Sequence, residues 1–378
     1  MNIAIFETEH FEGSYPVIRL FDNRKNDVTV FTYDEAYEQF KHLFPGEPKQ
    51  YHWIVRPPDR SKYLFILDMY REIKRNKISL VYLNTISNNF IVYALFVLRL
   101  RKVRVILTVH NINTQFEFKA SLIPRRIIRY IGRRLLFSVV KEFNVVAMTM
   151  VSSLVNRLPK NKKVYCVPGA VFDESQSYQL QPQVSEQINI VIPGTVDGRR
   201  RDYERAIDLI LLLEHQQISS AMTFLGRFYG EYGKRILSRI KTLQLKTVRL
   251  KYYEFETVAQ PEFDKVMNEA NFVFIPSVLT TVIEDGVTEL YGTTMSSGNL
   301  FDVIKHAKPF IVPQPLKTDP FLEQSCFRYS KVNEIATFLA SIKNDPRKYA
   351  NLLQDALEAS RNYTVEKVRE RNPGLFNI

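Results

Sequence analysis

The sequence predicts an α/β protein of two αβ domains, each built on a parallel sheet. Three observations predict it. First, short and nearly continuous apolar runs alternate with amphipathic stretches along the 378 residues. Strands that alternate with helices form βαβ units, and strands lacking a polar face are buried on both sides. Second, the alternation stops once, over 173–187, where DESQSYQLQPQVSEQ is polar and rich in Gln and Ser, the composition of a linker. Third, hydrophobic residues make up 45% and charged residues 24%, ordinary values that leave ample material for a core. The expected organisation is a first domain over 1–172, a linker over 173–187, and a second domain over 188–378 with carboxyl-terminal helices. Two facing domains of this kind create a cleft, and their ligands bind outside the carboxyl ends of the strands.

The elements follow in order. In the first domain, IAIF (Ile3 to Phe6), DVTVFTY, YHWIVR, SLVYLNT, RVILTVHN, NVVAMTM and KVYCVPG are short apolar runs and read as strands. DEAYEQFKHLF, KYLFILDMYREIKRN, NNFIVYALFVLRLR and PRRIIRYIGRRLLFSVV lie between them and read as helices. In the second domain, INIVIPG, AMTFLG, VRLKYYEF, NFVFIPS and KPFIVP read as strands. YERAIDLILLLEHQ, GKRILSRIKTLQL and PEFDKVMNEA are the intervening helices, and the end is helical from VNEIATFLASIKN through NLLQDALEASRNY.

The formal net charge of +12 points to an anionic partner: a nucleic acid, a membrane surface or a phosphorylated ligand. Nucleic acid is disfavoured, because no recognition motif, aromatic RNP-like pattern or basic low-complexity tail is present. Two cysteines, Cys166 and Cys326, form neither a disulfide framework nor a zinc site and fit a reducing cytosol. The amino terminus has no basic n-region, so no signal peptide is expected. The longest apolar run, NNFIVYALFVLRLRK, is too short to span a bilayer, which takes about 20 residues.

Residues with chemistry gather at strand ends. VIPGTVDGRRRDY places Gly194 and Gly198 beside Arg199, Arg200 and Arg201, and FLGRFYG adds Arg227. Glycine lets backbone approach a phosphate, and guanidinium binds phosphate bidentately. A Gly-, Ser- and Thr-rich segment then precedes a helix, so Ser296, Ser297, Gly298 and Asn299 could present free N–H groups to an anion. Together these read as a diphosphate cradle; taken singly, GRRRDY could be a solvated turn and SSGN an ordinary cap. In the first domain VILTVHNIN ends a buried strand with His110 and Asn111. That imidazole can be a proton acceptor or hydrogen-bonding partner in the cleft, or a histidine satisfied by backbone. The first loop, with Glu9, His10, Glu12, Gly13 and Ser14, would line the same cleft on the acceptor side.

The segment Pro124 to Lys141 holds six basic residues and no acid. On a helix Arg125, Arg126, Arg129 and Arg133 share one face, and Ile127, Ile128, Ile131, Leu135 and Val139 another. This is the composition of a membrane-surface contact. In the plainer alternative the apolar face packs into the core and the arginines are merely solvated.

These residues resemble the GT-B glycosyltransferases, two Rossmann-like αβα domains facing across a cleft, and within them the group called family 4. That family carries E-x-F-G, a second Glu in the next helix, then G-x-P and a strand. Here ELYG (Glu289 to Gly292) matches the first part, and LFDVIKHAKPFIVP matches the second, with Asp302 where the second Glu is usual. TVHN resembles the acceptor-side His segment, and PGTVDGRRRDYERAIDLI the first turn of the donor domain. The family spacing of E-x7-E would put Ser297 in the second acidic position. Giving it to Asp302 requires a five-residue insertion over about Thr294 to Gly298, and both placements stay open. The usual Lys after the donor-domain arginines is absent.

The resemblance implies transfer of a sugar from a nucleotide-sugar to a glycan or lipid-linked acceptor, with retention of configuration. Arg199, Arg200, Arg201, Arg227, Gly194 and the Ser296–Asn299 N–H groups would hold the diphosphate. Asp302 would hold the ribose, Glu289 the sugar, and His110 the sugar or acceptor, with Gly13, Ser14 and Asn111 on the acceptor side. No D-x-D occurs, in keeping with a site expected to need no metal or other cofactor. The expected location is the cytoplasm, peripheral on the inner face of the cell membrane. Rival readings are a nucleotide-sugar epimerase or hydrolase on this fold, and a non-catalytic partner subunit of a transferase.

Overall fold

Strand β1 (Asn2–Phe6) lies in the interior of the first sheet, and both its faces are apolar. Ile3 and Ile5 point to one side, Ala4 and Phe6 to the other, and all four are buried. The computed structural model describes residues 1–9, 11–23, 26–44, 51–175, 186–254, 257–283 and 285–376. Among these residues the chain forms the two expected parallel sheets. The first adds β2 (Asp27–Tyr33), β3 (His52–Arg56), β4 (Leu80–Leu83), β5 (Arg104–Val109), β6 (Glu142–Val145) and β7 (Lys163–Cys166), in the order β3-β2-β1-β4-β5-β6-β7. Helices α1 (Phe11–Phe21) and α2 (Asp34–Leu43) cover one face. Helices α3 (Lys62–Arg75), α4 (Phe90–Arg99), a short α5 (Ile112–Phe116), α6 (Pro124–Val139) and α7 (Met148–Val155) belong to the other side's core or its rim.

The second sheet contains β8 (Ile188–Pro193), β9 (Ser220–Leu225), β10 (Val248–Tyr252), β11 (Phe272–Phe274), β14 (Phe310–Pro313) and β15 (Cys326–Tyr329), in the order β10-β9-β8-β11-β14-β15. Helices α8 (Tyr203–His215), α9 (Gly230–Thr242), α10 (Gln260–Glu269), α11 (Gly298–His306), α12 (Val332–Asn344), α13 (Pro346–Arg361) and α14 (Val365–Arg371) accompany it. Between β11 and α11 the chain makes an antiparallel hairpin, β12 (Thr280–Val282) with β13 (Thr288–Leu290). The strand order reverses between β1 and β4 in one sheet and between β8 and β11 in the other. A crevice opens at each such reversal.

Four expectations are corrected. The first loop is the start of α1: Ser14 is buried, with its Oγ donating to Phe11 O at 2.9 Å, so it does not line a cleft, and Gly13 lies in the same helix. Met148 and its neighbours start α7; the strand there is Glu142–Val145. The second domain does not run to the end. Val368 and Leu375 complete a first-domain core, and Arg369 donates from Nε to Leu20 O at 2.8 Å and from Nη2 to Asp22 O at 3.0 Å. Asn372 pairs with the backbone of Cys166 on β7, donating to its O and accepting from its N, both at 3.0 Å. Finally, β12 and β13 stand where a plain loop was expected. Of the 173–187 linker, residues 176–185 lie outside the described residues, as does His10.

Candidate active site

The donor-side geometry starts where β8 ends. Gly194 turns the chain with φ of 91°, and a Cβ there would lie 2.8 Å from Arg201 Nη2. Glycine thus admits the guanidinium against the strand end. Arg201 donates from Nε to Asn299 Oδ1 at 2.8 Å, from Nη2 to the same oxygen, and from Nη1 to Thr195 O at 3.2 Å. Asn299, in the first turn of α11, donates from Nδ2 to Pro193 O at 2.7 Å. Of the arginines expected in the cradle, Arg201 is the one held against Asn299 at the strand end. Arg199, Arg200 and Arg227 are exposed, and Arg227 lies over the Tyr229 ring at 5.3 Å. At the start of α11, Ser297 is buried without a side-chain cap, Gly298 is exposed with open space beside its Cα, and Ser296 Oγ is shielded without a hydrogen-bond partner among the described residues.

Asp302 is one turn into α11 and half-buried. Burial pushes its carboxyl up to about 7. The Glu12 charge on α1 adds to that, while Lys305 and Arg201 oppose it. Glu12, Arg201 and Asp302 thus bring both domains to one place.

On the first-domain side, His110 Nε2 lies 3.0 Å from Asn84 O and 3.4 Å from Thr85 Oγ1. A carbonyl only accepts, so Nε2 donates, and in the neutral ring the lone pair is on Nδ1. Beneath it is Glu7, which the sequence reading passed over. Glu7 is fully buried at the end of β1; Oε1 accepts from Thr8 N and Glu9 N at 2.7 Å, and Oε2 from Asn84 Nδ2 at 2.7 Å and Thr85 Oγ1 at 2.9 Å. An acid directly after the apolar run IAIF was the available signal, because such a position cannot be solvated when the strand is central.

Glu289 is not open to the cleft. It is fully buried, and its carboxylate accepts from Thr114 N and Thr114 Oγ1 at 2.7 Å and Asn113 N at 3.2 Å, the first turn of α5. Burial pushes its carboxyl up; hydrogen bonds from Thr294, Thr114 and Asn113 pull it back. Beside it, Ile112 N donates to Thr294 O at 2.9 Å and Asn111 bridges Met295.

The expected membrane face of α6 divides. Arg133 is buried and Arg129 half-buried, and both pair with Asp285 at the hairpin tip, at 2.7 and 3.6 Å. Arg125 and Arg126 remain toward solvent, and so do Ile127, Ile128 and Ile131, which were expected on a different face. Gly132 explains the rotation. A Cβ there would lie 2.9 Å from Phe90 Cβ, so Gly132 brings α6 close onto α4 and turns Arg133, Leu136 and Phe137 inward.

Residues 16–174 match the family model Glycosyltransferase Family 4. No curated protein sequence matches the chain. Among solved structures, a glycosyltransferase from Rickettsia africae ESF-5 is similar at a TM-score of 0.68 and 11% identity, over 99% of this chain and 97% of that one. HepE of Anabaena, solved with UDP and glucose, is similar at 0.65 and 14%, over 100% and 99%. The UDP-GlcNAc 2-epimerase from Neisseria meningitidis, bound to UDP-GlcNAc, is similar at 0.55 and 13%, over 98% and 100%. The chain therefore has the GT-B fold, and its match to the family 4 model lies within residues 16–174.

Proposed function

We propose that the protein is a glycosyltransferase that moves a sugar, with retention of configuration, from a nucleotide-sugar to a glycan or lipid-linked acceptor in the synthesis of cell-surface polysaccharide or glycoconjugate. The observation that carries this reading is the Arg201–Asn299 pair at the junction of β8 and α11, with Asp302 one turn on. When the bond from the anomeric carbon to the phosphate oxygen breaks, the diphosphate takes up negative charge. Arg201 and the uncapped α11 N–H groups are fixed donors for it, in the part a divalent ion plays elsewhere. Asp302 would hold the ribose hydroxyls. The acceptor oxygen bonds to the anomeric carbon and loses its proton, for which His110 on the opposite wall is the nearest base in kind. Arg199, Arg200 and Arg227, being exposed, can swing onto the phosphates from outside. The relatives solved with UDP, with glucose and with UDP-GlcNAc favour a UDP-sugar.

The same reading places the protein at the inner face of the cell membrane. Among the described residues no helix is long and apolar enough to cross a bilayer. However, α6 and the segment before it expose Leu122 (99%), Ile123, Ile127, Ile128 (56%) and Ile131, beside Leu95 and Leu98 of α4. Between Ser87 and Lys141 there are eleven Lys and Arg residues and one acid, Glu117. An apolar patch ringed by cations fits an anionic bilayer.

A panel of UDP-, GDP-, ADP- and dTDP-sugars tests the activity: one of them should raise the melting temperature by mass action and release its nucleoside diphosphate when acceptor lipids or glycans are added. Stabilisation by UDP-GlcNAc with appearance of an epimer would favour the epimerase reading, and release independent of acceptor the hydrolase. No stabilisation by any donor would leave the partner-subunit reading.

A further inference from the structure

Resting on the transferase reading, we infer that Glu289 is a positioning residue, whose carboxylate ties the acceptor-side segment His110–Thr114 to the donor-side loop Thr294–Asn299. The motif resemblance put this acid on the sugar. Its surroundings give it other work. The carboxylate accepts from two backbone N–H groups and a hydroxyl of α5, and from the hydroxyl of Thr294 in its own domain. The contact is part of a seam. Asn113 Nδ2 donates to Thr288 O at 2.8 Å, Ile112 N to Thr294 O at 2.9 Å, and Asn111 bridges Met295.

The seam has site residues at both ends. His110 is three residues before Asn113 along the chain. Ser296, Ser297 and the start of α11 follow directly after Thr294 and Met295. A five-residue helix such as α5 closes few of its own backbone bonds and needs an outside acceptor to persist. Glu289 supplies it, from the other domain. The turn after Glu289 is held as well: Leu290 N donates to Thr294 Oγ1 at 2.8 Å, and Gly292 N to Met295 O at 2.8 Å. So the residues between the two acids of the motif, over-long by family spacing, form a strut between acceptor wall and phosphate cradle. If Glu289 is neutralised or shortened, both ends loosen together although neither touches a ligand through it.

Hydrogen–deuterium exchange on the full chain tests this without any substrate. Glu289→Gln keeps an acceptor for one N–H but turns an amine toward the other donors. It should speed exchange of amides in both 110–116 and 294–300, by at least about tenfold, the loss of one charge-assisted hydrogen bond. Thr114→Val, made from the first-domain side, should loosen the same two segments, and the double variant should add little, since both break one contact. A fast-exchanging 288–290 with both ends unchanged, or additive effects, overturns the inference. Thr114→Val also guards against a Glu289 variant that fails to fold. A second arm measures UDP-glucose turnover: kcat should fall at least about tenfold with KM within about twofold, because misplacement rather than binding is affected. A loss confined to KM would return Glu289 to the sugar. If wild type turns over no nucleotide-sugar, the transferase reading fails, while the exchange result still decides the strut.

Discussion

The Arg133 guanidinium is 1% exposed and donates from Nη2 to Asp285 Oδ2 at 2.7 Å, joining the first domain to the tip of the β12–β13 hairpin. Removing one partner of a buried ion pair leaves the other charge uncompensated, at about 3–5 kcal/mol. Asp285→Asn should therefore lower the unfolding free energy by an amount near the lower end of that range, because Asp285 retains some solvent. Urea denaturation measures it. An unchanged midpoint would mean the pair is open in solution.

Arg201 should dominate the nucleotide site. Its fork is held by Asn299 and Thr195, whereas Arg199 and Arg227 are exposed. Arg201→Lys keeps the charge and loses the fork. UDP affinity by calorimetry should fall about ten- to hundredfold, the value of roughly 1.5–3 kcal/mol for a hydrogen bond to a charged group. Arg199→Gln and Arg227→Gln should each cost less than about 1 kcal/mol, as exposed charges do. Equal losses for all three would return the cradle to the whole basic turn.

Asp302 should give stability a pH dependence of definite sign. Its carboxyl holds its proton up to about 7 in the fold but to near about 3.9 in the unfolded chain. Between those values the native state binds more protons, so stability falls as pH rises and levels off above the folded value. Asp302→Asn removes this slope, and its advantage over wild type should grow from pH 5 to 7 and then stay constant. At pH 8 the same variant should bind UDP at least about tenfold more weakly. A 2′,3′-dideoxy nucleotide should lose affinity for wild type and not for the variant. If UDP affinity is unmoved, Ser297 takes the second acidic position and the donor site must be redrawn.

Vesicle binding should depend on the isoleucines of α6 more than on its arginines. Replacing Ile127, Ile128 and Ile131 with Gln removes side chains each worth up to about 1.5–3 kcal/mol on full burial. Replacing Arg125 and Arg126 removes about 1 kcal/mol each, screened by salt. Flotation with phosphatidylglycerol vesicles should show the Ile variant released at all salt concentrations, and the Arg variant weakened at low salt but equal to wild type at high salt. Absence of wild-type binding at low salt would sink the membrane proposal.

The first sheet and five strands of the second were legible because their strands are continuous apolar runs and their helices amphipathic; β15, the edge strand CFRY, is not such a run and was missed. What was not legible depended on distant partners. Gly13, Ser14 and Pro16 spell a loop locally, yet α1 forms because Val17, Ile18, Leu20 and Phe21 are buried against the sheet; packing overrides propensity. The α6 periodicity showed two faces, but only Gly132 against Phe90 and Arg133 against Asp285 decide which one turns inward. The hairpin was legible and passed over: Asp285 and Gly286 have φ of 51° and 77°, the Asp-Gly turn that joins two short strands. At the site, Gly194, Arg201, Asn299 and Asp302 could be read as a strand end followed by a helix start. Glu7 carried a signal, an acid directly after IAIF, but its donors and those of Glu289 could not be read, because they lie up to 176 positions away.

The return of α14 and residues 373–376 to the first domain has a consequence for how the chain is made. Arg369 closes the carboxyl end of α1 and Asn372 pairs with the backbone of β7. A nascent chain that has released only 1–172 still lacks Val368 and Leu375 from its core. The domain translated first is finished last, and a fragment cut at the linker should emerge as a sticky intermediate in need of a chaperone, rather than as an independent module.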